Sequence, residues 1–91
     1  MATLYDNFGR IREVYPSNGE SFGLQELYEL LGCDQVDVLP CPDLINCFIV
    51  PLDGGAWVNT NAARAAARTG AISTDEHILG RALYCRNVEF R

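Results

Sequence analysis

Apolar residues recur at Leu24, Leu27, Tyr28 and Leu31, the i, i+3, i+4, i+7 spacing that lines one stripe of a helix. The spacing predicts a helix over 24–31, with Gly23 at the N-cap, Glu26 three residues on, and Phe22 stapled onto Leu27. Gly32 supplies its left-handed stop. Before it, residues 3–15 alternate around Asp6-Asn7-Phe8-Gly9 and predict a β-hairpin, which the loop Pro16-Ser17-Asn18-Gly19 ends. After it, Val36, Val38 and Leu39 predict a short strand that stops at Pro40-Cys41-Pro42-Asp43. Ile45 to Leu52 is apolar on both faces, which places a strand in the middle of a sheet or under a helix. Asp53-Gly54-Gly55 turns the chain, and Trp57-Val58 is expected to pair back.

Asn59 is a natural cap for a second helix over Thr60 to Thr69, built largely of alanine and closed by Gly70. Ile72 to His77 is a polar connection, and Ile78 to Val88 reads as the closing strand, interrupted at Gly80. The order ββαββ(β)αβ predicts an α+β fold with a mainly antiparallel sheet. The expected core is Leu24, Leu27, Leu31, Val36, Val38, Ile45, Ile49, Leu79 and Leu83.

Composition narrows the classes of function. At 91 residues and 48% hydrophobic content the chain reads as a single domain with a small core, residues 1–91. Seven cations against twelve anions leave a net charge of −5, which argues against sequence-independent binding to nucleic acid. All seven cations are arginine, which fits either codon bias in the source or a need for guanidinium forks that grip planar anions. Cys33, Cys41, Cys47 and Cys85 lie 8, 6 and 38 positions apart with one histidine, His77, so no metal or other cofactor is expected and the thiols are read as reduced. Met1 to Asp6 lead to the expectation of no secretory signal, and no apolar run is long enough to span a bilayer. The expectation is a soluble cytoplasmic protein with no membrane partner.

One ordered set of segments runs along nearly the whole chain: the hairpin before Asn18-Gly19, the start Phe22-Gly23-Leu24-Gln25-Glu26-Leu27, Leu30-Leu31-Gly32-Cys33, and Gln35-Val36-Asp37-Val38-Leu39. Val50 to Gly55, Val58-Asn59-Thr60-Asn61-Ala62 and Ile78 to Cys85 continue it. In this order they resemble the family of small bacterial and phage proteins called domain of unknown function 3846. The stretch between Gly54-Gly55 and Asn59 is shorter than in the family, and arginine replaces its usual surface lysine. The resemblance implies the fold and a phage or prophage origin in a bacterial host, and no mechanism.

Chemistry is sparse. Cys85 with His77 is a candidate nucleophile and base, but a cysteine in an apolar strand is usually inert core. The pairs Asp34 and Asp37, Asp75 and Glu76, and Glu26 and Glu29 read as caps and solvated faces, and Gly54-Gly55 lacks the frame of a phosphate loop. No catalytic residue is nominated and the chain is read as a non-enzyme. Ligand binding has more support: Trp57, Asn59, Asn61 and Arg64 cluster at the start of the second helix, offering an aromatic face, amide edges and a guanidinium. Arg10 and Arg12 are further candidates. The structural alternative is that Trp57 fills the core, Asn59 caps the helix and the arginines face solvent. The expected function is that of a phage or mobile-element accessory protein that binds a host component stoichiometrically. The alternative is a sponge that sequesters a small anionic, nucleotide-like signal. A homodimer through the alanine-rich helix is also expected, because alanines alone bury little area.

Overall fold

The computed structural model describes residues 2–6, 9–55 and 57–89. Five strands form one antiparallel sheet: β1 (Ala2–Tyr5), β2 (Ile11–Val14), β3 (Val36–Pro40), β4 (Asn46–Pro51) and β5 (Ala82–Arg86), in the spatial order β2-β1-β5-β4-β3. Helix α1 (Leu24–Leu31) joins the two edge strands, and helix α2 (Thr60–Thr69) joins β4 to its neighbour β5. The α+β fold expected from the sequence is the fold observed.

Register shows how one sheet serves two helices. Opposed residues in an antiparallel pair share a face, so Leu4, Leu83, Ile49 and Val38 form one row and Thr3, Tyr84, Phe48 and Leu39 the row behind it. The first row packs with Leu27 and Leu31 of α1, while Phe48 packs with Ala62 and Ala66 of α2. The helices therefore cover opposite faces. The run Cys47-Phe48-Ile49-Val50, buried at every position, is apolar on both sides for that reason.

Several local expectations change. Leu24 is exposed although it lies on the stripe of α1, because a first-turn side chain leans N-terminally, past the covered surface. Ile45 and Leu79 are also exposed, each standing just outside its strand, and Val36 and Val38 are partly buried. Glu26 does not complete a capping box; its carboxylate accepts the Ser17 N–H at 3.0 Å. Asn7 and Phe8 of the first turn lie outside the described residues. Trp57-Val58 does not return to β4: Val58 bridges Leu79, and the Gly80 N–H donates to the Trp57 carbonyl at 3.0 Å. That crossing needs Gly54, since a Cβ there would collide with the Leu79 carbonyl. The closing strand accordingly begins at Ala82, after Gly80 at φ 81°, and ends in a 3-10 turn over Asn87–Glu89.

Candidate functional site

The residues nominated from sequence at the start of α2 have separate fates. Asn59 is 1% exposed and spends its side chain on structure. Its Oδ1 accepts the Ala62 N–H at 3.1 Å, and its Nδ2 donates to the Tyr5 carbonyl at 3.0 Å and the Gly80 carbonyl at 2.9 Å. Both amide hydrogens are committed, so Asn59 caps α2 and pins it to the end of β1. Asn61 also reaches the first hairpin, donating from Nδ2 to the Gly9 carbonyl at 3.3 Å. Trp57 is 41% exposed, which places it outside the core. These three side chains and Arg64 do not share one cavity.

Arg64 does line a cavity. A cleft of about 550 Å³ runs along the outer flank of α2, where Thr60, Arg64 and Arg68 face Thr74, Glu76 and His77 of the returning connection. Val58, Ala63 and Ala67 make its apolar floor. The geometry follows from the helix itself: Ala62 and Ala66 press on the sheet, so Arg64 and Arg68, one turn apart, are held away from it. Gly70 at φ 86° then reverses the chain and brings 72–77 back beside the helix. Alanines on the flank leave room that larger residues would fill.

The electrostatics are mixed and legible. No acidic side chain pairs with Arg64 or Arg68 among the described residues, and the Arg68 charge lowers the Tyr5 phenol, though burial raises it by more. Glu76 brings one negative charge to the cleft. Its Oε1 accepts the Ser73 hydroxyl at 2.6 Å and the Ser73 N–H at 3.0 Å, bonds that hold its pKa below the usual value and keep it ionised. Two guanidiniums, an imidazole and two threonine hydroxyls over an apolar floor suit an anion joined to a flat or apolar body.

The sequence places Arg64 and Arg68 one turn apart on α2, but the site nominated from it includes Arg64 and not Arg68, His77 or Thr74. The i, i+4 spacing of the arginines was the available signal; the approach of 74–77 to α2 is a tertiary fact without one. The Cys85 and His77 pairing does not form, because Cys85 packs in the α1 layer and His77 lines the cleft beside α2. Arg12 shares the α1 face with Leu4 on edge strand β2, away from this cleft. Among the described residues no cluster of histidine, cysteine or carboxylate suits a metal ion, and no helix is long and apolar enough to cross a membrane. Comparison with protein-family models, with curated proteins and with solved structures finds no match.

Proposed function

We propose that the chain is a non-catalytic binding protein whose cleft beside α2 takes a small anionic, nucleotide-like ligand. The observation that carries this reading is the pair Arg64 and Arg68, free of acidic partners among the described residues, on the rim of a cavity with an apolar floor. Guanidinium forks bind phosphate oxygens bidentately, and the alanine floor offers a surface for a base or ribose. The separation of Cys85 from His77 supports binding without turnover. With the resemblance to small phage proteins, this reading becomes sequestration of a host signal inside a bacterial cell. The test is a thermal-shift screen of cyclic dinucleotides and ADP-ribose derivatives, since a ligand held by the folded state raises Tm with its excess over Kd. Arg64→Ala should reduce the shift.

A second reading, stoichiometric capture of a host protein, is favoured by one observation. Leu44 sits at φ 63° and is 82% exposed at the β3–β4 turn, beside exposed Ile45, and the Asn87 side chain ties the Leu44 carbonyl to the segment that carries exposed Val88. An exposed leucine in a left-handed conformation is costly by about 1–2 kcal/mol. Co-purification of a host protein, with no nucleotide shifting the melt, would favour this reading over the first. The alanine face that suggested a homodimer is already used against Phe48 of the chain's own sheet.

A further inference from the structure

Two adjacent strands at the middle of the sheet carry a cysteine at the same register position. Cys47 of β4 and Cys85 of β5 are direct partners, with their sulfurs 3.9 Å apart on the α1 face and side chains 1% and 2% exposed. Opposed residues of an antiparallel pair have Cα atoms about 4.5–5.5 Å apart, within the span of about 4.4–6.8 Å that a disulfide bridges. Side-chain rotation closes the remaining gap with the register unchanged. Neither other thiol is so placed: Cys41 packs in the α2 layer and bonds the Thr69 hydroxyl at 3.7 Å, and Cys33 follows the end of α1.

We propose that Cys47 and Cys85 form a redox pair which hydrogen peroxide converts to an intrachain disulfide between β4 and β5. One of the two sulfurs, as thiolate, attacks one peroxide oxygen, the O–O bond breaks, and that cysteine becomes a sulfenic acid as hydroxide leaves. The other sulfur then attacks it, forming the S–S bond and releasing water once the thiol proton is transferred. In total the two thiols give up two electrons and two protons, and one peroxide becomes two waters. Either sulfur can act first, since in the contact between them either is able to donate. The bridge also encloses the cleft, because every wall residue from Val58 to His77 lies in the segment between the two cysteines. Oxidation thus ties together both ends of the segment that builds the binding site and restricts its unfolded form.

The test treats the full-length reduced protein with a small excess of peroxide, followed by alkylation, intact mass and peptide mapping. The expected product is lighter by two hydrogens, keeps two alkylatable thiols, maps to a Cys47–Cys85 cross-link, melts at a higher temperature and reverts with dithiothreitol. In Cys85→Ala and in Cys47→Ala the peroxide-dependent cross-link and the rise in melting temperature should both be lost. A wild-type chain that keeps both thiols free while Cys33 gains oxygen would overturn the proposal, as would a cross-link mapping elsewhere.

Discussion

The two faces of the sheet are packed differently. Over the α1 face both layers supply bulk, with Leu27 and Leu31 descending on Leu4, Ile49 and Leu83 beside the smaller Ala2, Cys47 and Cys85. Over the α2 face the sheet supplies it: Phe48 rises between Tyr84 and Tyr5, at centroid distances of 4.7 and 6.3 Å, and the helix answers with Ala62 and Ala66. Either arrangement fills the volume between layers, because close packing depends on the sum of facing side chains. They differ in what they leave beside the helix. An alanine helix brings its backbone close to the sheet and leaves its flank hollow, and that hollow becomes the cleft under Arg64 and Arg68.

Removing the bulky member of each layer should give the largest effects. Phe48→Ala is expected to cost about 3–5 kcal/mol and Leu27→Ala about 2–5 kcal/mol in denaturant melts, both side chains being fully buried. Enlarging the small member should separate the faces more sharply. Ala66→Leu, which drives a side chain into Phe48, is expected to cost about 1–3 kcal/mol by overpacking. A neutral result there would mean that α2 floats on the sheet. Asn59→Ala should cost about 1–3 kcal/mol, since the cap is lost and the Tyr5 and Gly80 carbonyls lose their donor. Its effect should appear in α2 and leave amide exchange in α1 unchanged.

The smallest effect concerns pH. The bonds from Ser73 depress the folded pKa of Glu76, so their contribution is complete above the unfolded glutamate value and disappears as pH falls through the lower folded value. The protection factor of the Ser73 amide should fall over that acidic range while that of the α1 layer stays unchanged. Glu76→Gln should remove the pH dependence and, by taking a negative charge from the cleft, tighten anion binding.

Much of this contrast was legible in the sequence, and unevenly so. Helix 24–31 announced itself because four large residues repeat at helical spacing, and the run from Cys47 to Val50 revealed a strand buried on both sides. The alanine helix was placed correctly at 60–69, yet the side chain it packs on was not identified. Alanine carries no sign of how much bulk its partner provides, and Phe48 lies twelve residues before the helix begins. Leu24, Ile45 and Leu79 were assigned to the core on apolar character, and their exposure depends on where the strands and helices stop. At the site, Asn59 was read with both a capping and a binding role, and its three side-chain bonds account for the first. Arg64 faces the cleft because of helical phase, whereas His77 reaches it through a reversal at Gly70 that no local pattern encodes.

The most direct test is a chemical-shift titration of the folded chain with a nucleotide that passes the thermal-shift screen. Backbone amides of Thr60, Arg64, Ala67, Thr74 and His77 should move together and saturate at one equivalent, while those of Leu27 and Leu31 stay still. Arg64→Ala and Arg68→Ala should each weaken binding about tenfold or more, as expected for loss of a charge-assisted bond of about 1.5–3 kcal/mol. Shifts that cluster at Leu44, Ile45 and Val88 instead, or that persist unchanged in the double arginine variant, would contradict the assignment of the cleft.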